Sequence, residues 1–359
     1  MQLGRTLVST VAAVSLVFLL RPVGYAQESH GHITDDQKKY KPVRPEVDDT
    51  FEVLPVQGDV YLVVTGKGSN IALQVGSQGA LLVDASTAEV SDRVIAAVKK
   101  LTAGPIRAIV DTTTDLDHIG GNEKLLKAGQ PMYGLSTIGA PLPVPEANVF
   151  AHEKALNRIS APTGQVSEVP SAAWPGNTFS GDKKKLSFNH EPIELLYTPG
   201  HTDGDLIVFF RRSDVIAAGD VFSTTSYPVF DLARGGSIQG VIDGLNHIVD
   251  LAVPEINQQG GTRIIPGHGR IGNQSDVVEY RDMATIVRDR VRDLIKEGKT
   301  LEQIKAAGAT LEYDGLYSTP SYTGPMFVEA IYKDLTKPAK LAKPAPPKGK
   351  PSTTSALKP

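Results

Sequence analysis

Short runs of β-branched and aliphatic residues, separated by Gly, Asn, Asp and Ser, begin at Phe51. Runs of this length and alternation are typical of consecutive β-strands. The first four are FEVLPVQ, VYLVVTG, IALQVGS and GALLVDAS. The helical spacing of SDRVIAAVKKL predicts a helix with Ser91 as its N-cap, and IRAIVDT predicts another strand. NEKLLKAG then predicts a helix with Asn122 as its cap and Gly129 as its stop.

The second half of the chain repeats this order. FAHEKALNRIS has helical spacing, whereas LSFNHEPIELLYTPG, DLIVFFRR and DVIAAGD have the patterns of strands. SIQGVIDGLNHIVDLAV predicts a helix, and GTRIIPGHG predicts a strand that ends in a loop. Two more helices are predicted in SDVVEYRDMATIVRDRVRDLIKEG and LEQIKAAG. Strands punctuated by helices, twice over, predict an α/β fold in which two sheets pack on each other with helices outside.

The composition changes before this patterned body begins. Residues 1–26 carry Arg5 near their start, continue with the apolar LVSTVAAVSLVFLL and end on small residues at Ala26, as a cleaved signal peptide does. A membrane anchor is the alternative, but Arg21 and Pro22 interrupt an apolar run that is already short for a span. We therefore expect an exported protein, periplasmic or extracellular, with no stable membrane span after the signal peptide is removed.

The rest of the chain divides by composition into four segments. These are a polar extended segment (27–50), a main domain (51–276), a C-terminal helical extension (277–336) and a Lys/Pro-rich tail (337–359) predicted to be disordered. The whole chain has a formal net charge of −3, and its two ends contribute eight positive charges, so residues 27–336 carry −11. An acidic body argues against nucleic-acid binding as the main task. The expected partner is a small molecule that an exported protein can reach. The oligomeric state stays open.

Four loops that follow predicted strands offer His or Asp side chains. The loops lie in TTTDLDHIGGN, TPGHTDGD, AAGDVF and IIPGHGR, and they contribute Asp115, Asp117, His118, His201, Asp220 and His268. Loops at one edge of a sheet can bring such side chains to one point, which is what a hydrolytic metal site requires. Because the chain has no cysteine, nitrogen and oxygen atoms would have to hold the ion.

In this order, the four segments resemble the motifs of the metallo-β-lactamase superfamily. The resemblance covers about Phe51 to Asp276, and ALLVDAS with Asp84 matches the strand-terminal Asp of the family's opening pattern. It implies a four-layered αβ/βα sandwich that binds one or two divalent ions, most often zinc, at the sheet edge. Asp84 is expected to support a metal-ligating imidazole, either His118 or His268.

The first metal motif departs from the family's His-x-His-x-Asp-His pattern. Thr113 stands where the first His belongs and Asp115 where the second belongs, whereas Asp117 and His118 match. The set implied for the second metal is complete: Asp117, His118, His268 and Asp220 as a bridging carboxylate. The set implied for the first metal keeps His201, with Asp115 as a replacement ligand. Two outcomes follow: an oxygen-rich first site that suits manganese or iron better than zinc, or a single ion at the second site.

The resemblance implies a metal-dependent hydrolase in which a metal-bound hydroxide attacks a carbonyl-type bond: an ester, lactone, thioester or β-lactam. Asp117 is the candidate catalytic residue, because it would orient the hydroxide and take up its proton. The segment SYPVFDLARGGS is predicted to wall the substrate pocket with Tyr227, Phe230 and Arg234, and Tyr227 is a candidate donor to the leaving group. The alternative is a catalytically degenerate protein of this fold that binds a ligand or partner.

Three further histidines and the tryptophan also lie in the patterned part of the chain. His152 is expected at the surface of a helix or as support for a ligand, and His190 and His247 are expected to be structural. The segment around Trp174 is either a flap over the site or a strand-to-strand connection that packs this tryptophan.

Overall fold

The structure is a computed structural model that describes residues 50–132, 146–160, 167, 169–256 and 260–337. The predicted signal peptide, the polar segment up to residue 49 and the Lys/Pro-rich tail from residue 338 lie outside the described residues. Within the ranges given, no helix combines the length and apolar character needed to cross a bilayer.

Seven strands form the first sheet, in which spatial order follows chain order. They are β1 (Glu52–Gln57), β2 (Val60–Val64), β3 (Ile71–Gly76), β4 (Gly79–Val83), β5 (Ile106–Val110), β6 (Asn148–His152) and β7 (Asn177–Phe179). Strands β1 to β4 pair antiparallel, and β4 to β7 pair parallel. The parallel pairing places the carboxyl ends of β4 and β5 side by side, so the loops that follow them meet.

Five strands form the second sheet, in the order β12-β11-β10-β9-β8. They are β8 (Lys183–Phe188), β9 (Glu191–Tyr197), β10 (Leu206–Phe210), β11 (Val215–Ser223) and β12 (Arg263–His268). All neighbours pair antiparallel except β11 and β12, which are parallel. Asn189 and His190 turn the β8–β9 hairpin with φ angles of 51° and 60°, as a two-residue hairpin loop requires.

Nine α-helices and two short 3-10 helices, Ala88–Val90 and Ser171–Ala173, complete the described part of the chain. The α-helices are α1 (Ser91–Leu101), α2 (Leu116–Ile119), α3 (Asn122–Lys127), α4 (Glu153–Ile159), α5 (Ile238–Leu251), α6 (Gln274–Lys296), α7 (Leu301–Ala306), α8 (Asp314–Tyr317) and α9 (Gly324–Leu335).

Three apolar cores separate four layers. One core lies between the sheets and includes Leu81, Val110, Leu195, Val208 and Ile265. The second joins the outer face of the first sheet to helices and includes Leu73, Leu82, Val94, Val98 and Leu125. The third does the same for the second sheet and includes Ile216, Leu245, Val287, Phe327 and Ile331. Successive residues of one strand, such as Leu81 and Leu82, therefore face different cores, and the four-layered αβ/βα sandwich is confirmed.

The helical extension belongs to this third core. Helix α6 begins with a capping box formed by Asn273 and Asp276, so the predicted boundary after residue 276 falls in its first turn. Helices α6, α7 and α9 all contribute buried residues to the layer that covers the second sheet.

Three local predictions were wrong. Phe150 to His152, predicted as helical, end the central strand β6, where burial on both faces removes the alternation that marks a strand. The N-cap of α3 is Gly121, because the Asn122 amide donates instead to both oxygens of the buried Asp111 at 3.0 Å. Ser91 is the first residue of α1 and is not its cap.

The tryptophan lies in a connection between strands. Trp174 packs against a small cluster that includes Ile119, Ile159 and Val169, and its Nε1 donates to the Val169 carbonyl at 2.9 Å. Of the two interpretations of this segment, the structure shows the packed connection.

Candidate metal centre

The six candidate ligands meet near the carboxyl ends of β5, β9, β11 and β12. They form two groups, and in each group one nitrogen or oxygen atom per residue lies within 4.8 Å of the others. The second-site group is Asp117, His118 and His268, and the first-site group is Asp115, His201 and Asp220. Asp220 belongs to the first-site group but also faces the second, because its Oδ1 lies 3.2 Å from His118 Nε2 and 3.6 Å from His268 Nε2. The convergence expected of four separate loops is therefore present in the fold.

Close backbone approach makes room for Asp220. A bulge in the pairing of β11 with β12 surrounds this residue, and such irregularities re-aim a side chain. A Cβ atom added at Gly267 would lie 2.3 Å from Asp220 Oδ1, and one added at Gly219 would lie 2.5 Å from Thr112 Oγ1. Gly219 also has a φ of +51°, which favours glycine. Both glycines of the sequence motifs therefore shape the centre.

Asp84 orients His118. Its Oδ2 lies 2.9 Å from His118 Nδ1, and the carboxylate also accepts from the Thr112 amide at 2.8 Å and the Thr112 hydroxyl at 2.7 Å. Because a carboxylate accepts, Nδ1 carries a proton, and Nε2 is the ring nitrogen that faces the centre. The question left open by the sequence is settled in favour of His118.

The second-site group fits a tetrahedral ion. His118 Nε2 is buried and makes no hydrogen bond to a described residue, although Asp220 Oδ1 lies 3.2 Å away. His268 Nε2 lies 3.3 Å from Asp117 Oδ2 and 3.6 Å from Asp220 Oδ1. Ligand atoms at the usual distances from a tetrahedral divalent ion stand about 3.3–3.6 Å apart. Four side chains with one orphaned imidazole nitrogen therefore match a metal ion in their spacing and chemistry.

The first-site group has a different geometry. His201 Nε2 lies 2.8 Å from Asp115 Oδ2, which is a hydrogen-bond distance, and 3.9 Å from Asp220 Oδ2. The other oxygen of Asp115 contacts the guanidinium of Arg234. Thr113 is buried, and its hydroxyl makes no hydrogen bond to any residue described. Both Asp115 oxygens are thus occupied, one by an imidazole and one by a guanidinium, although the ligand atoms of the group lie within 4.8 Å of one another.

His201 is held at both ring nitrogens. Its Nδ1 lies 3.0 Å from the Val229 carbonyl, which accepts only, so this nitrogen carries a proton. Burial lowers the pKa of His201, but the hydrogen bond to Asp115 and the charge of Asp220 raise it, to about 9 overall. The ring is therefore bound as a donor between a carbonyl and a carboxylate.

The carboxylates and imidazoles of the centre shift one another's pKa values. Burial alone would raise the pKa of Asp220, but His118, followed by His268 and His201, holds it below its ordinary value. Burial would lower the pKa of His118, yet Asp220 and Asp84 raise it well above the usual range. The same concentration of negative charge that favours protonated imidazoles favours a divalent cation.

Of the three residues predicted to wall the pocket, Arg234 lies at the centre and two do not. Tyr227 is fully buried, stacks on Phe327 at 4.9 Å and donates its hydroxyl to Asp314 Oδ1 at 2.7 Å. Phe230 is buried in the same outer core. The assignment of Tyr227 as a donor to a leaving group was therefore wrong, because its hydroxyl is committed inside the C-terminal helices.

The other three histidines of the described residues stay outside both groups. His152 is buried rather than on the surface, caps α4 and stacks on Tyr197 at 4.0 Å. His190 is exposed in the β8–β9 turn, and His247 is half-buried on α5.

The sequence interpretation missed two residues that hold the centre together. Thr112 fixes the Asp84 carboxylate, and Asp231 accepts from Arg234 Nε at 2.7 Å. A signal for Asp231 was present, because an acid three residues before an arginine in one loop is well placed to pair with it.

The described fold is similar to solved structures of hydrolases. A stereoselective inverting sec-alkylsulfatase from Pseudomonas sp. has a TM-score of 0.55 at 17% identity, over 79% of this chain and 50% of that one. A double mutant of a sec-alkyl sulfatase has a TM-score of 0.58 at 16% identity, over 80% and 50%. A metallo-β-lactamase from Pontibacter korlensis has a TM-score of 0.49 at 15% identity, over 66% and 99%.

The chain spans about half the length of the two sulfatase structures, and at these identities the likeness concerns the fold. No curated protein matches the chain. The family model of the metallo-β-lactamase superfamily matches residues 55–306, which is more than half of the chain and includes both groups of candidate ligands. The chain therefore belongs to the metallo-β-lactamase superfamily.

Proposed function

We propose that the protein is an exported, metal-dependent hydrolase that opens a carbonyl-type bond of a small molecule: an ester, lactone, thioester or β-lactam. The observation that carries this proposal is the second-site group, in which His118 presents an orphaned Nε2 atom to Asp220 at 3.2 Å. Export rests on the composition of residues 1–26 alone.

The residues present fit one divalent ion, held by Asp117, His118, Asp220 and His268. When bound, such an ion lowers the pKa of a coordinated water from about 15.7 to near 7–9 and so supplies hydroxide at neutral pH. Zinc is the ion we propose, because two imidazoles and two carboxylates at tetrahedral spacing are ligands that it accepts.

Three carboxylates of the centre have distinct tasks. Asp84 keeps His118 in one tautomer and one orientation, which raises the basicity of the ligating nitrogen. Asp220 turns Oδ1 toward His118 and His268 and Oδ2 toward His201, so its negative charge lies at the middle of the centre. Asp117 has a side chain that is 41% exposed, which gives it access to solvent and substrate. It is therefore the residue best placed to take up a proton during hydrolysis.

Two exposed apolar residues adjoin the centre through their neighbours in the chain or their backbone. Leu116 separates Asp115 from Asp117 and is 50% exposed, and Val229, whose carbonyl is bound by His201, is 43% exposed. Apolar side chains beside a polar centre favour an uncharged acyl or ring group next to the reacting carbonyl. This supports a lactone, β-lactam or acyl ester among the carbonyl substrates.

Turnover measurements test the proposal. Protein loaded with zinc should hydrolyse at least one member of a panel of acyl esters, lactones, thioesters and β-lactams. Activity should disappear after chelation and return with zinc. A series of acyl esters of increasing chain length would test the apolar flank, because longer chains should lower KM.

The competing function is that of a ligand-binding protein that keeps the fold without catalysis. The loss of two imidazoles at Thr113 and Asp115 is the observation in its favour. Absence of metal-dependent turnover across the same panel, extended to sulfate and phosphate esters, would establish this alternative.

A further inference from the structure

The first-site group is in contact with a positively charged side chain of the protein, Arg234. Arg234 Nη1 contacts Asp115 Oδ1, and Arg234 Nε lies 2.7 Å from Asp231 Oδ2. The guanidinium thus pairs with two carboxylates, one of which occupies the position of a family metal ligand. A guanidinium group keeps its proton at any physiological pH, so this positive charge is permanent.

The position of Arg234 is fixed from several directions. Its carbonyl accepts from the Asp203 amide at 3.0 Å, and its own amide donates to Asp231 Oδ1 at 3.0 Å. The Asp231 amide in turn donates to the His201 carbonyl at 2.7 Å. The loop that carries the arginine is therefore tied to the loop that carries the histidine, and the guanidinium is built into the centre.

The charges of the two groups balance in different ways. At the second site, Asp117 and the shared Asp220 place two negative charges beside two imidazoles, which a divalent ion would neutralise. In the first-site group Asp115 already faces the guanidinium, and an added divalent ion would meet a fixed positive charge within contact distance of its ligand. Two positive charges this close repel each other even where the effective dielectric constant is about 20.

We propose that Arg234 is the resident cation of the first site, and that the chain therefore holds a single metal ion, at the second site. The inference rests on the proposed metal centre and adds the number of ions and the residue that sets it. Arg234 acts as a positioning residue: it holds Asp115 away from a metal-binding geometry and, through Asp115, holds His201 beside Asp220.

Metal stoichiometry tests this inference independently of turnover. Elemental mass spectrometry of the full chain after saturation with zinc and removal of excess should give one ion per chain for the wild type. Arg234→Ala should give two, because Asp115 and His201 are released to bind. Arg234→Lys should stay at one, because it keeps the charge. Arg292→Ala is the matched control, since Arg292 also pairs with two aspartates, Asp289 and Asp293, but lies on α6.

The outcomes separate this inference from the proposed function. Two ions in the wild type, or one ion in Arg234→Ala, overturns the role of Arg234 while leaving a metallohydrolase intact. No ion in the wild type overturns both. If Arg234→Ala does not fold, as judged by its melting curve, Arg234→Gln replaces it, because the amide keeps a hydrogen bond to Asp115 and removes the charge. Cobalt substitution gives a second readout: the absorption of the bound ion should double in intensity in the neutral variants only.

Discussion

The imidazole of His118 donates from Nδ1 to Asp84 Oδ2 across 2.9 Å, and both side chains are buried. Asp84 holds this position with a φ of 66°, a conformation that few residues other than Gly, Asn and Asp adopt. The end of β4 thus positions a candidate metal ligand that follows β5. This contact converts an ordinary buried histidine into one whose Nε2 faces the candidate metal centre.

Asp84→Asn should weaken metal binding by about 10- to 100-fold, the usual effect of losing such a partner. Asparagine tolerates the backbone angle, so the loss should reflect the missing carboxylate. Competition with a chelating dye measures the affinity. Asp243→Asn, on the exposed side of α5, is the control and should bind as the wild type does. Equal affinity in Asp84→Asn and wild type would show that Asp84 does not orient His118.

Asp220→Asn should remove most turnover of any substrate that the wild type accepts, because the amide keeps the shape but not the negative charge between the imidazoles. The melting temperature should change little, since the residue lies at the edge of the sheet and outside the apolar cores. Activity and melting should be measured on the same metal-loaded preparations, with Asp250→Asn as the control. Retained turnover would show that the reaction does not need the negative charge of Asp220.

Thr113→His combined with Asp115→His should raise zinc occupancy from one ion to two. The exchange supplies two imidazoles and at the same time removes the carboxylate that contacts Arg234, so the guanidinium loses its anchor at the site. Elemental analysis of folded protein provides the readout. If the folded variant still binds one zinc ion, then neither the two missing imidazoles nor the contact of Arg234 with Asp115 explains why the first site is empty of zinc.

Tyr227→Phe should lower the free energy of unfolding by about 1 kcal/mol while leaving turnover unchanged, because the hydroxyl serves a buried hydrogen bond to Asp314. Denaturant titration and steady-state kinetics of the same preparation give the two values. A loss of turnover without a loss of stability would show that Tyr227 takes part in the reaction.

The convergence of the six candidate ligands could be predicted because each follows a recognisable strand, and the carboxyl ends of neighbouring strands meet. The contact between Arg234 and Asp115 could not, since 119 positions separate them and neither residue is unusual in its own segment. Tyr227 and Phe230 were misplaced for a related reason. Aromatic residues after a metal motif look the same in sequence whether they face a pocket or the helices that cover the outer core.

Strand β6 shows a limit of pattern reading for the fold. Val149, Phe150 and Ala151 are all buried because the strand lies between β5 and β7 and is covered on both faces. A continuous apolar run has no period that distinguishes a strand from a helix. Because a helix starts directly afterwards at Glu153, the predicted helix also took in the last three residues of the strand.

The metal content of two histidine variants tests the central claim most directly. His268 belongs to the second-site group, and His201 belongs to the first-site group. After saturation with zinc, the wild type should contain one ion per chain, His201→Ala should keep it, and His268→Ala should lose it, all three with folded melting curves. A wild type without metal, or an ion that is lost from His201→Ala and kept in His268→Ala, would contradict the account.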